Sequence, residues 1–141
     1  MLAQCTGQKR GEIAPAKWLY DESDYFVKQR RYARTADEWY IQSAEHGLVE
    51  PEQVLEPYNT HAKDLDEPNQ WAKEIAVDLS EKHGCATVEI LGGRVYADPL
   101  RPELEARGFR VLEPLDGLGI GERKAELARL SDKEENQQVI V

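Results

Sequence analysis

Trp39-Tyr40-Ile41-Gln42-Ser43-Ala44-Glu45-His46-Gly47-Leu48 is the stretch that orders the rest of the chain. It begins as a run of β-formers with no breaker inside, which predicts a strand over residues 38–44. It ends in a polar cluster, Ser43, Glu45 and His46, closed by Gly47. In an open α/β sheet, a strand ending this way delivers polar side chains to the carboxyl edge, where ligands bind.

Working outward, the segments alternate. Residues 2–5 read as a short first strand, followed by a polar turn from Thr6 to Gly11 and a long loop anchored by Trp18 and Tyr20. A helix is expected from about Ser23 to Arg34, with Ser23 or Asp21 as its cap and three arginines complementing its carboxyl end. After His46-Gly47 the chain reads as loop or short helix through Pro51-Glu52-Gln53, and Pro57 holds Glu56 extended and presents Tyr58. Trp71, Ile75 and Leu79 recur every four residues behind Pro68, predicting a helix that ends at Lys82-His83-Gly84 with Gly84 as the residue past its cap. A strand follows over 86–91. A helix over roughly 95–107 is expected to be broken or to start late because of Pro99 and Pro102, and Gly108 ends it. A fourth strand at 109–112 and a last helix over about 121–131 complete the series, leaving 132–141 as a polar tail. Strands alternating with helices imply an α/β fold, a three-layer αβα arrangement with a central, mostly parallel, four-stranded sheet, in one domain spanning 1–131.

Composition bounds the partners. The 141 residues carry a net charge of -9, which opposes tight, unspecific binding to a phosphate backbone. A basic mouth built from Lys28, Arg30, Arg31 and Arg34 is compatible with that balance. No apolar run approaches the roughly 18 residues of a membrane span, and no basic segment followed by an apolar one marks secretion. A cytoplasmic protein without membrane contact is expected. Cys5 and Cys85 read as reduced, buried thiols near strands. The cysteines and the three histidines follow no zinc spacing, so neither a metal nor another cofactor is expected.

With parallel strands, four turns converge on one edge: Cys5 to Arg10, Ser43 to Gly47, Leu91 to Arg94, and Pro114 to Gly121. Glu45-His46 is the leading candidate pair, because a histidine near neutral pH moves protons and an adjacent acid tunes it. The plainer reading is a histidine that caps the strand end. Gly92-Gly93-Arg94 before a helix lets backbone N–H groups approach an anion, or simply makes a tight turn. Gly117-Leu118-Gly119-Ile120-Gly121 is a second candidate nest of amides, but it lacks the ending of a nucleoside triphosphate loop. Asp116 is a candidate for orienting water, or the first residue of an Asp-Gly turn. Tyr58 suits stacking on a base, or the core. Cys5 with Lys9 and Arg10 nearby is a candidate low-pKa thiol, with no matching base.

The series Cys5-x3-Lys9, Pro15-Ala16 to Leu19-Tyr20, the Ser43-Ala44-x-His46-Gly47-Leu48 block, Glu56-Pro57-Tyr58, and Pro114 to Gly121 resembles an uncharacterised domain family of archaea, actinobacteria and phages. The resemblance reaches to about Leu130. That family is distantly similar to the uracil-DNA-glycosylase-like fold and to YaaA-type proteins, and related domains accompany enzymes of modified guanine. It implies a three-layer fold and a site for a nucleobase, nucleotide or nucleic acid. The chain departs from the glycosylases in having no Gly-Gln-Asp-Pro-Tyr run and no His-Pro-Ser-Pro run, so their water-activating and base-stabilising residues do not transfer. Under this reading His46 stabilises charge on a departing base, Glu45 or Asp116 orients water, and Tyr58 stacks. Ser43, Gly47, Cys5, Lys9 and Arg94 line the site, and Gly92, Gly93, Gly117 and Gly119 shape the amide nests. The expected function is a nucleobase- or nucleotide-handling protein, with an N-glycosidic hydrolase or transferase as its catalytic form. The alternatives are a binding module without chemistry and an acidic protein that docks basic partners.

Overall fold

A computed structural model describes residues 1–6, 11–58 and 64–137. The elements run β1 (Leu2–Gln4), β2 (Ala14–Pro15), α1 (Ala16–Leu19), α2 (Asp24–Ala33), β3 (Tyr40–Ser43) and β4 (Gly47–Val49), then β5 (Val54–Leu55), α3 (Pro68–Lys82), β6 (Thr87–Glu89), α4 (Arg94–Ala106), β7 (Arg110–Leu112) and α5 (Ile120–Gln137). The fold is mixed α/β.

The sheets are shorter than expected. β1 and β3 pair in parallel with Ala3 opposite Ile41, and β4 adds antiparallel to β3. β6 and β7 form a separate parallel pair with Val88 opposite Val111. Among the described residues one bridge between Leu2 and Ile90, with Leu91 N–H donating to the Leu2 carbonyl at 2.9 Å, links the ladders of the two sets. The expected four-stranded sheet is thus observed as three strands and two strands meeting at one bridge.

Local chemistry explains most boundaries. Ser23 caps α2, its Oγ accepting from Phe26 N–H at 3.2 Å. Pro68 starts α3 at its first turn, and Trp71, Ile75 and Leu79 all point inward. Gly84 does not take the left-handed conformation expected of it; His83 caps α3, donating its N–H to the Leu79 carbonyl. At α4 the left-handed residue is Gly108, at φ 87°, and Phe109 and Gly108 N–H groups reach back to the Leu104 and Glu105 carbonyls.

Further expectations need correction. Helix α4 starts at Arg94 and runs unbroken through Pro99 and Pro102. An internal proline costs about 3 kcal/mol, and the buried stripe of Tyr96, Ala97, Leu100 and Leu104 offsets it at about 1.5–3 kcal/mol for each large apolar side chain. The chain after His46 is neither loop nor short helix at first but the returning strand β4, because Gly47 at φ 72° closes a tight turn and Val49 buries opposite Ile41. Helix α5 continues past Ser131 to Gln137, where Arg31 of α2 pairs with Asp132 and Glu135 at 2.6 and 2.8 Å. The loop after β1 also carries structure, because β2 pairs with β5 and Tyr20 is fully buried; Trp18 stays 39% exposed beneath the Arg30 guanidinium.

Helix α2 packs on β1 and α5, while α3 packs on α4 and β4. Leu2, Phe26, Ile41, Ile75 and Leu100 belong to the larger core cluster, and Tyr25, Leu91, Leu115 and Leu127 to a smaller one. No helix among the described residues is long and apolar enough to cross a membrane.

Candidate functional site

The carboxyl end of β3 is a crowded polar corner. Ser43, fully buried, donates its hydroxyl to Tyr58 Oη at 2.7 Å and accepts the His46 N–H at 3.0 Å. Its carbonyl accepts the Trp71 indole N–H at 3.0 Å. The Tyr58 phenol also bonds closely to the Tyr20 phenol. The exposed His46 ring stands edge-on to Tyr58, with centroids 5.1 Å apart. Glu45 is exposed beside it in the turn, and Gly47 supplies the positive φ that the turn requires.

These contacts define the chemistry. Burial pushes the Tyr58 and Tyr20 phenols above the ordinary tyrosine value, with the nearby Cys5 as the next cause. Both are therefore neutral hydroxyls at physiological pH. Ser43 spends its proton on a phenol rather than on a base, which is not the arrangement of an activated nucleophile. Cys5 is buried, its Sγ 3.1 Å from Tyr96 Oη, and Tyr96 in turn packs edge-on to Trp71 at 5.7 Å. Ser43, Trp71, Tyr96 and Cys5 thus form one polar and aromatic row from β3 to β1.

At the end of β6, Gly93 N–H donates to Gln4 Oε1 at 2.7 Å, and a Cβ on Gly92 would lie 3.1 Å from the same oxygen. Glycine at 92 is therefore needed for close approach. The amide expected to meet a ligand at Gly93 is already bonded within the protein. The same correction applies to Gly119, whose N–H donates to Glu122 Oε1 at 3.2 Å at the start of α5. Gly117 takes φ 80° and serves the turn. Asp116 pairs with Arg94 at 3.4 Å rather than with His46, so the turns after β6 and β7 meet each other. Lys9 lies outside the described residues. Cys85, expected to be buried, is exposed, and both cysteines are free.

Several residues at this edge escaped sequence reasoning. Gln29 of α2 places its carboxamide against the end of β1, with Oε1 accepting Gln4 N–H at 2.7 Å and Nε2 donating to the Gln4 carbonyl at 3.4 Å. A side chain there does what a neighbouring strand would do. Gln42, opposite Gln4 in the register, is fully buried, and neither polar atom of its side chain has a partner among the described residues. The available signal was a glutamine next to a small polar residue in both strands, Gln4-Cys5 and Gln42-Ser43. Arg123 is a third such residue; its guanidinium donates to the Leu118 carbonyl at 2.9 Å and crowds Gly93.

An open hollow of about 540 Å³ lies between the first turns of α3 and α4, lined by Pro68, Asn69, Arg94, Val95 and Asp98 among others. Among the described residues neither helix has a side-chain cap. Among the described residues no three His, Cys, Asp or Glu side chains gather as metal ligands.

A family model matches residues 1–129, nearly the whole chain. The chain belongs to DUF6884, a family of unknown function. No curated protein and no solved structure matches this DUF6884 chain. The Ser43–His46 corner, the Cys5–Tyr96 contact and the uncapped starts of α3 and α4 all fall inside the matched span.

Proposed function

We propose that the chain handles a nucleobase or nucleotide at this carboxyl edge. The observation that carries the reading is the hollow between two uncapped helix starts, with Arg94 at its rim. Unpaired N–H groups at a helix start favour an anion, and two starts with an arginine suit a phosphate. Tyr96 and Trp71 follow Val95 and Asn69 of its lining by one and two residues, and the row from them to Tyr58 and His46 would supply the aromatic and hydrogen-bonding surface that a base uses.

This reading takes the two strand sets as one mostly parallel sheet, in the order β3-β1-β6-β7, within a three-layer αβα fold. The Leu2–Ile90 bridge and the pairing of α2 with α5 and of α3 with α4 support it. β1 would then have β3 on one side and β6 on the other, which makes the strand ends at Cys5 and Gly92 a switch point, where such folds bind ligands. The distant likeness to uracil-DNA glycosylases belongs to the same proposal.

In the catalytic form, water adds across an N-glycosidic bond, its hydroxyl going to the sugar carbon and its proton to the base. His46 donates a hydrogen bond to the departing base, and Glu45 orients the water. Asp116 is held by Arg94 and plays no part in this step. The non-catalytic form, a nucleotide-binding module, is favoured by one observation: the Ser43, Tyr58 and Tyr20 hydroxyls are bonded to one another.

A thermal-shift panel of bases, nucleotides, modified guanines and short oligonucleotides tests the reading. A ligand at 100 times its dissociation constant adds about 2.7 kcal/mol of stability. A shift abolished by His46→Ala, followed by free base detected by mass spectrometry, supports the enzyme. A shift without turnover supports the module. No shift with any of them refutes both.

A further inference from the structure

A cleft of about 570 Å³ lies at the opposite, amino edge of the strands. Its floor is apolar, with Leu2, Val88 and Phe109, and the tyrosines Tyr32 and Tyr40 form walls. Its charged side chains are all acidic. Asp37, Glu38, Glu89 and Glu134 line it, and among the described residues no lysine or arginine does. Among the described residues the Met1 ammonium also lines it; it donates to the Glu38 carbonyl at 2.9 Å and is attracted by the Glu89 and Glu38 carboxylates, so a ligand cation would share Glu89 with it. Glu89 is held in place by the Tyr32 hydroxyl, which donates to its Oε1 at 3.0 Å. A second field acts in the same direction. The carboxyl ends of α2 and α3 reach the cleft through Tyr32 and His83, and a helix carboxyl end carries partial negative charge. His83 is engaged by Tyr40 at 2.7 Å. The volume falls in the range of small-molecule sites, roughly 300–1,000 Å³.

We propose that this amino-edge cleft binds an organic cation, a primary ammonium or a guanidinium carried on an apolar body. The cationic head meets the Glu89 carboxylate and the negative helix ends. The apolar body covers Val88 and Phe109, and the tyrosine faces add cation–π attraction. The inference does not depend on the carboxyl-edge reading, because none of the residues proposed to act there lines this cleft.

Isothermal titration of the full chain with tyramine, agmatine and the peptide acetyl-Gly-Arg-Gly-amide tests it, with 4-hydroxyphenylacetate as the anionic counterpart of tyramine. At least one cationic probe should bind saturably, more weakly in high salt, and the anion should not bind. Binding of the free amines alone identifies a small-molecule ligand; binding of the peptide alone identifies a basic side chain of a partner protein. Either supports the cation site. Glu89→Gln keeps an acceptor for Tyr32 and should weaken binding about tenfold. Glu134→Gln, at the rim, gives a second reading if the first variant unfolds at a lower temperature. The proposal is overturned if no cationic probe binds, if the anion binds as well as tyramine, or if both variants bind like the parent. Loss of binding in His46→Ala would place the ligand at the other edge and overturn it too.

Discussion

Replacing Gln29 by methionine removes the side chain that completes β1 while nearly conserving volume. Two backbone groups of Gln4 lose their partner, the N–H at 2.7 Å and the carbonyl at 3.4 Å. The first is a short bond, and leaving a buried donor unpaired costs about 1–3 kcal/mol. The second is long and adds little. Burying an apolar chain instead of a carboxamide recovers part of the loss, so the net destabilisation should be about 2 kcal/mol. For a chain of this length that is a fall in Tm of roughly 4–10 °C. Urea unfolding measures it directly, with an unchanged slope showing that the denatured state is unaltered. Gln29→Glu separates the two bonds. An ionised glutamate accepts from the Gln4 N–H but faces its carbonyl, whereas a protonated one can donate. Gln29 is fully buried, so burial should raise the folded pKa of the new carboxyl above about 4.3. The stability of that variant should then fall as pH rises from the unfolded value toward the folded one. A loss below about 0.5 kcal/mol in Gln29→Met, which is the scale of an ordinary surface substitution, would refute the idea that this side chain replaces a strand.

The two glycines after β6 should respond differently to alanine. At Gly92 the new Cβ meets Gln4 at 3.1 and 3.2 Å, so Gly92→Ala should cost about 1–3 kcal/mol in chemical denaturation; at Gly93 it meets the flexible end of Arg123, and the loss should be smaller. The end of α5 should be sensitive to acid. The Arg31 guanidinium holds the Glu135 carboxyl below its usual value, so this contact is present above the ordinary carboxylate range and fades as pH falls through the depressed one. Hydrogen exchange at residues 131–136 should accelerate at low pH, and Arg31→Ala should bring the same acceleration to neutral pH. In an alkaline absorbance titration, Tyr20, Tyr25, Tyr32 and Tyr58 should still be un-ionised as pH passes about 10, because burial raises each phenol; normal titration of all six tyrosines of the chain would show that the hydroxyl network does not form.

Much of the scaffold was legible in the chain. Ser23 before α2, Pro68 at the start of α3 and Gly108 past the end of α4 are local rules, and each boundary follows from a few adjacent residues. Helical periodicity placed Trp71, Ile75 and Leu79 inward because their spacing alone puts them on one side. The polar end of β3 at Ser43 was legible as well, but Tyr58 was read only as presented from a proline-stiffened segment, and its bond to Ser43 is a contact that the fold supplies.

What the sequence could not decide was everything that depends on who stands opposite whom. The same Ala44-Glu45-His46 turn serves a strand-to-helix connection or a hairpin, and only the burial of Val49 against Ile41 selected the hairpin. Pro99 and Pro102 argue locally against a helix, and the stripe buried by α4 outweighs them. The Gly93 and Gly119 amides look available in the chain and are spent on Gln4 and Glu122 in the fold. The cleft at the amino edge has no motif at all, because Tyr32, Glu89, Phe109 and Glu134 come from four separate segments. Local propensity acts over a few residues and is therefore written in the chain; hydrogen-bond partners and cavities are contacts across long separations, and only tertiary packing assigns them.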